Sequence, residues 1–110
     1  MASPGPLTTD DRLAICDLFA RYGRALDNRD LDAYVATFAP DGALDSIRRG
    51  RVEGREAIRA SLQEIIQEVN AANYVHFSNH PVIEGDSERC TVRSYAQTSA
   101  AMQTAPITSC

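Results

Sequence analysis

A chain of 110 residues, 44% apolar and 24% charged, fits a single globular domain and is too short for two independent cores. Its formal charge of −4 argues against a nucleic-acid partner, and no apolar run approaches membrane-spanning length. The cysteines are widely spaced, without a Cys-x-x-Cys pair: Cys16, Cys90 and Cys110. This pattern predicts neither a disulfide framework nor a zinc site, and we expect a cytoplasmic protein.

The first predicted helix follows a proline- and glycine-containing segment, residues 1–8, which is expected to be a flexible leader to one domain, residues 9–110. Thr8 or Thr9 is a candidate N-cap, and acidic residues fill the first turn. Apolar side chains then recur at helical spacing, which predicts a helix from about Asp10 to Leu26. The apolar stripe is Ile15, Leu18, Phe19, Tyr22 and Leu26.

Two further helices are predicted downstream. Asp30 can cap a short helix that ends at the Ala-Pro-Asp-Gly sequence, because proline cannot continue it. The pattern of residues 43–54 is a weaker signal, which predicts one or two short strands around a turn at Arg49 and Gly50. The third helix, Arg55 to Val69, has one clear apolar face.

After residue 73 the apolar period changes to two, which predicts a β-hairpin with Gly85 and Asp86 as its loop. That register sets His76 opposite Tyr95, and its remaining pairs are Ser78 with Arg93, His80 with Thr91 and Glu84 with Ser87. The other face would then be more apolar, carrying Val75, Phe77, Ile83, Cys90, Val92, Ser94 and Ala96. The order of elements predicts an α+β fold in which helices cover one side of a curved antiparallel sheet.

Three carboxylates, Asp27, Asp30 and Asp32, lie close together in the sequence between the first two predicted helices. Asp30 and Asp32 are explained by capping and by the dipole of the second helix. Asp27 lies at the end of the first helix, where spacing alone leaves two readings open, a polar C-terminal residue or a catalytic acid.

The two histidines are the candidate bases. His76 and His80 would lie about 13 Å apart along a strand, too far to share one metal ion. Imidazole titrates near neutral pH, so His76 is either structural or a general base, and it would be a good base if Asp27 fixed its tautomer. The glycines match no phosphate-binding pattern, so no metal or cofactor is expected.

The sequences DRLAICDLFARYGRALDNRDLDAYVATFAPDG, VEGREAIRASL and HFSNHPVIEGDSERCTVRSY together resemble the SnoaL-like branch of the nuclear transport factor 2-like superfamily. The resemblance runs from about Asp10 to Tyr95. It implies a cone-shaped fold in which three helices close over a strongly curved antiparallel sheet, with an apolar pocket between them. The fold itself hosts enzymes and non-catalytic binders, so it does not specify the activity.

The resemblance also implies site residues. In bile-acid 7α-dehydratase, hexachlorocyclohexane dehydrochlorinase and scytalone dehydratase, an aspartate ending the first helix pairs with a strand histidine, which corresponds here to Asp27 and His76. Tyr22 matches a further site tyrosine of the bile-acid enzyme, whereas Thr98 stands where that enzyme has an acid. Further candidate pocket residues are Phe19, Tyr34, Phe38, Ser78, His80 and Tyr95.

The resemblance leaves three readings of function. The first is a small cofactor-free lyase or isomerase, dehydratase-like, acting on a hydrophobic cyclic molecule through His76, Asp27 and Tyr22. The second is a non-catalytic ligand-binding or oligomerisation module of the same fold. The third is a truncated, inactive member that lacks the last strands of the sheet and their closing arginine. A homodimer or homotrimer is expected, with contact through the sheet face that carries Val75, Phe77 and Val92.

Overall fold

The computed structural model describes residues 3–46, 49–68 and 74–100. It is an α+β fold with the predicted order of helices and strands. The elements are α1 Thr9–Asp27, α2 Leu31–Ala36, β1 Ala43–Ser46, β2 Gly50–Glu53, α3 Arg55–Glu68, β3 Tyr74–Gly85 and β4 Cys90–Ala100.

The helix starts are set by local capping, as the sequence predicts. Thr8 Oγ1 accepts from the Asp11 backbone N–H at 3.1 Å, and the Asp11 carboxylate accepts from the Thr8 N–H at 3.0 Å. Together they form a capping box that satisfies two otherwise free donors. Asp30 caps α2 by accepting from the Ala33 N–H at 3.1 Å. The predicted end of α3 at Val69 lies outside the described residues.

The core lies where the three helices meet. Ile58 and Leu62 of α3 are almost fully buried and pack with residues of α1 and α2. Their spacing of four residues places them on one helix face, as predicted from the sequence. The buried apolar cluster is Ala25, Tyr34, Val35, Ile58 and Leu62.

The described strands form two separate two-stranded antiparallel sheets, β1 with β2 and β3 with β4. In the small sheet Leu44 pairs with Val52, and both side chains pack against the core cluster. The long β3–β4 hairpin contacts α1. This hairpin carries four of the candidate site residues, His76, Ser78, His80 and Tyr95.

The predicted hairpin loop is wrong. Gly85 pairs with Cys90, so the loop has four residues, Asp86 to Arg89, instead of two. Asp86 Oδ1 accepts the backbone N–H groups of Arg89 and Glu88, each at 2.9 Å. These bonds, that of Arg89 first, lower the pKa of Asp86. The aspartate therefore builds a side-chain-to-backbone turn that competes with the two-residue loop.

The hairpin register differs from the prediction for a second reason, a bulge in β3. Asn79 pairs with Tyr95 and Val82 with Arg93, so β3 has one extra residue there. His80, which has a φ of 54°, lies at this irregularity and precedes Pro81, which lacks an N–H. His76 consequently pairs with Thr98 instead of Tyr95, and Ser78 pairs with Ala96 instead of Arg93.

The new register redistributes the side chains between the two faces of the hairpin. Successive residues alternate, so the pairs His76–Thr98, Ser78–Ala96 and Ile83–Val92 share one face, which we call the histidine face. Phe77, Tyr95 and Val82 share the opposite face. The predicted contact face is therefore wrong in part, because Val92 lies on the histidine face and Val75 and Phe77 do not.

The hairpin loop is also joined to residues of the predicted leader. Pro6 forms an antiparallel bridge with Asp86. The Ser87 N–H donates to the Gly5 carbonyl at 2.9 Å, and the Gly5 N–H donates to Ser87 Oγ at 3.0 Å. These bonds hold this part of the segment against the loop.

Gly23, in the interior of α1, provides a stability prediction. Replacing it by alanine is expected to raise the free energy of unfolding by about 0.5–1 kcal/mol, because glycine disfavours a helix interior. The added Cβ would lie 3.9 Å from the His76 carbonyl oxygen, an ordinary contact. Urea denaturation measures the change; a loss of stability would show that α1 and β3 approach more closely than described.

Candidate functional site

The centre of the candidate site is the pair Asp27 and His76, which joins the end of α1 to β3. Asp27 Oδ1 lies 2.6 Å from His76 Nδ1 and also accepts the His76 backbone N–H at 3.0 Å. One carboxylate oxygen thus holds both the ring and the strand that carries it. The sequence predicts the ring contact from the resemblance; the backbone contact has no sequence signal.

The position of Asp27 on its helix is unfavourable by itself. A carboxylate in the last turn of a helix opposes the helix dipole, which favours cations there. The two donors supplied by His76 compensate for this placement. The position of Asp27 is therefore explained by its contacts with His76 and not by helix capping.

The contact favours one tautomer of the histidine. A carboxylate accepts hydrogen bonds, so the 2.6 Å distance to Asp27 favours the ring with its proton on Nδ1. In the neutral ring Nε2 then has a free lone pair. The His76 side chain is 34% exposed and that of Asp27 is 21% exposed, so the pair is partly shielded and the ring remains accessible.

Thr98 is the residue that faces His76 across the hairpin. The two are direct partners in the β3–β4 register, and Thr98 is exposed. Ser78, also exposed, follows His76 by two residues and lies on the same face. Only the true register reveals the Thr98 pairing, because the loop length and the bulge both shift β4.

Three of the predicted site aromatics, Tyr22 of the catalytic set and Tyr34 and Phe38 of the pocket set, form a cluster between α1 and α2. The Tyr22 and Tyr34 rings have centroids 5.1 Å apart, and their hydroxyl oxygens are 3.4 Å apart. Burial, and then the bond to Tyr22, raise the pKa of Tyr34 well above its ordinary value, so Tyr34 stays neutral. Phe38 contacts both rings. Tyr22 therefore has its hydroxyl paired with Tyr34.

The remaining predicted residues separate into two groups. Phe19 is half-buried on α1, on the same helical row as Gly23 and Asp27. His80 and Tyr95 contact each other, with ring centroids 6.3 Å apart. Tyr95 lies on the face opposite His76, so the structure does not bring these two rings to the Asp27–His76 pair.

The comparison with protein families identifies the chain. The model of the SnoaL-like domain matches residues 8–106. The chain belongs to the SnoaL-like domain family. No protein of curated function matches the sequence.

Solved structures agree with this SnoaL-like assignment. A cystatin-like-fold protein of unknown function from Nostoc punctiforme is 32% identical, with a TM-score of 0.78 over 86% of this chain and 70% of that chain. ActVI-ORFA from Streptomyces coelicolor is 25% identical, with a TM-score of 0.72 over 89% of this chain and 76% of that chain. A candidate scytalone dehydratase from Novosphingobium aromaticivorans, 21% identical, has a TM-score of 0.69 over 90% and 68% of the two chains. This last likeness shows the cystatin-like fold alone.

Two open grooves lie elsewhere on this SnoaL-like domain. One of about 440 Å³ lies between α2 and α3, and one of about 390 Å³ between α1 and α2. Neither is lined by Asp27 or His76. Within the described ranges, no three metal-ligating side chains come together and no helix is both long and apolar enough to span a bilayer.

Proposed function

We propose that this SnoaL-like domain is a small lyase or isomerase that removes a proton from carbon in a hydrophobic cyclic molecule. The observation that supports the proposal is the 2.6 Å contact between Asp27 Oδ1 and His76 Nδ1. His76 is the general base, and Asp27 orients the ring and stabilises its charged form. Proton transfer of this kind uses only these two side chains.

The proposed step begins at His76 Nε2. The lone pair of Nε2 takes a proton from substrate carbon, and the electron pair of the C–H bond moves into the substrate. In a lyase that pair expels a leaving group from the adjacent atom; in an isomerase it shifts a double bond, and the proton returns from Nε2 to another carbon. Because Asp27 Oδ1 also binds the His76 backbone N–H, the ring does not need to reorient between steps.

The chemical class of the substrate is proposed from the family and from the aromatic side chains between α1 and α2. SnoaL-like domains bind small hydrophobic molecules, and the described aromatic cluster of Tyr22, Tyr34 and Phe38 offers apolar surface beside α1. Tyr22, which is half-buried, is proposed to bond a substrate oxygen. The bond that Tyr22 forms with Tyr34 holds its phenol in place for this role.

The proposal is tested with 5-nitrobenzisoxazole, an apolar bicyclic probe that opens when a base removes its C–H proton. The C–H pair becomes part of a nitrile, the N–O bond breaks, and a coloured phenolate forms. The wild-type chain is expected to accelerate this opening, and His76→Ala to lose the acceleration. His80→Ala is the matched control because His80 lies away from Asp27. An equal rate for wild type and His76→Ala would exclude the proposed base.

A non-catalytic binding or oligomerisation module is the second candidate. It is favoured by the exposed apolar side chains of the face opposite His76, where Phe77 is 47%, Val82 51% and Tyr95 74% exposed. These residues suit contact with a second copy of the chain, which agrees with the expected homodimer or homotrimer. This candidate replaces the enzyme if the chain binds the apolar dye 8-anilinonaphthalene-1-sulfonate but does not open the probe.

A further inference from the structure

The outer edge of β4 is open in the described part of the chain. Among the described residues β4 has one strand neighbour, β3. The strand runs for 11 residues, Cys90–Ala100, without proline, glycine or lysine, and Arg93 is its one charged residue. Natural edge strands are usually short, charged, interrupted by proline or twisted by a bulge. Here the bulge lies in β3, so the edge of β4 remains suited to pairing with another strand.

β4 also lacks support from the helices. The hairpin forms a sheet separate from β1 and β2, and among the described helices only α1 contacts it, through β3. A two-stranded hairpin is marginally stable by itself and needs further strands or a packed helix. From Cys90 to Thr98 every side chain is exposed except that of Val92, which is half-buried. A further strand at the open edge would give β4 the support that α1 gives β3.

We infer that β4 pairs antiparallel with β4 of a second copy of this chain, about a two-fold axis at Ser94. The inference does not depend on the proposed function. The pairing joins two hairpins into one four-stranded sheet with the two β4 strands at its centre. The axis is perpendicular to the sheet, so the histidine faces of both copies lie on the same side.

Arg93 and Tyr95 favour this register. In an antiparallel pair of identical strands, residues at equal distances on either side of the axis face each other. An axis at Ser94 therefore places Arg93 opposite Tyr95 of the second copy, twice by symmetry. Tyr95 is 74% exposed, and Arg93, whose Nη2 donates to Glu84 at 3.1 Å, can lay its guanidinium plane on that ring. An axis at Arg93 would instead place two like charges opposite each other.

The position of α1 leaves room for the second copy. α1 lies along β3, and no described residue of α1 has its Cα within 8 Å of a Cα of β4. In the four-stranded sheet the two β3 strands would be three strand spacings apart, about 14 Å. Packed helices need about 8–10 Å between their axes. The two copies of α1 therefore fit side by side on the histidine face.

The first test measures the dissociation constant of the dimer by sedimentation velocity across a dilution series. Ser94→Asp places two carboxylates opposite each other at the axis and is expected to raise this constant by about fivefold. Ser78→Asp is the matched control, because it makes the same change on the same face of β3, away from the open edge. It is expected to leave the constant within about twofold.

A disulfide tests the register directly. In a variant whose three cysteines are replaced by serine, Ser94→Cys is expected to form a disulfide-linked dimer in air, because the two residues face each other across the axis. Thr91→Cys in the same variant is expected to stay unlinked, because its two copies would lie about 20 Å apart. If circular dichroism shows that Ser94→Asp does not fold, the disulfide result decides.

Three results would overturn the inference. The first is a wild-type chain that stays monomeric at every concentration, as expected if another segment of the same chain covers the edge. The second is a dimer that Ser94→Asp leaves intact and Phe77→Ser dissociates, which would assign the contact to the face opposite His76. The third is a dimer in which Ser94→Cys forms no link. Each is distinct from the loss of 5-nitrobenzisoxazole opening in His76→Ala, so the inference and the proposed function fail separately.

Discussion

Replacing Leu62 by alanine is expected to lower the free energy of unfolding by about 2–5 kcal/mol. Leu62 is 2% exposed at the centre of the cluster that joins α3 to α1 and α2. The truncation removes apolar burial and leaves a cavity that the surrounding helices fill only in part. A domain of this size has a total stability of about 5–15 kcal/mol, so the loss would be a large fraction of it.

Leu13→Ala is the matched control for this prediction. It makes the same chemical change on α1, where Leu13 is 64% exposed. Leucine and alanine are both good helix formers, so a change of less than about 0.5 kcal/mol is expected. Urea denaturation of both variants measures the difference. Equal losses at the two positions would show that α3 does not hold the core.

Replacing His76 by alanine is expected to lower the rate of 5-nitrobenzisoxazole opening by about 10²–10⁴-fold, the usual contribution of a positioned general base. Asp27→Asn is expected to lower it by a smaller factor, on the order of 10². Asparagine can still accept the His76 backbone N–H, so the strand keeps its anchor. It carries no charge to stabilise the imidazolium form of His76.

The Asp27→Asn variant separates a catalytic from a purely structural role of the carboxylate. A structural role predicts a loss of thermal stability with little change in rate per folded molecule. A catalytic role predicts the reverse, a loss of rate in a chain that still folds. Circular dichroism melting and the probe assay, made on the same preparation, distinguish the two. His80→Ala is expected to match the wild type in rate per folded molecule.

The helices could be predicted from the sequence because their signals are local. Thr8 and Asp30 cap the helices they precede, and the stripe containing Ile58 and Leu62 is buried as its spacing predicts. Each of these features depends on residues three or four positions apart. The β-hairpin could be predicted as an element for the same reason, since alternation needs only neighbours.

The hairpin register could not be predicted, because it depends on competition between turns. Gly85 and Asp86 suit a two-residue loop, but the Asp86 carboxylate binds two backbone N–H groups and lengthens the loop. The bulge beside His80 then shifts the pairing again. The loop length and the bulge thus decide which residue of β4 faces His76. A register shift of one residue moves every side chain of a strand to the other face.

In the candidate site too, the local features could be predicted from the sequence, whereas those that depend on packing could not. Asp27 and His76 could be named from the resemblance, because each lies within a recognisable local pattern. The use of one oxygen for both the ring and the backbone N–H of His76 required the packing of α1 on β3. Tyr22 could be named too, but its pairing with Tyr34 depends on how α1 crosses α2.

The most direct test of the account is the protonation of the His76 ring in the intact chain. A long-range proton–nitrogen NMR correlation, recorded above the titration range of imidazole, shows which ring nitrogen carries the proton. The chain has two histidines, so exposed His80 provides an internal reference. The account predicts that His76 is protonated on Nδ1 with Nε2 free. A His76 protonated on Nε2 would contradict it, because Nε2 could not then accept a proton from carbon.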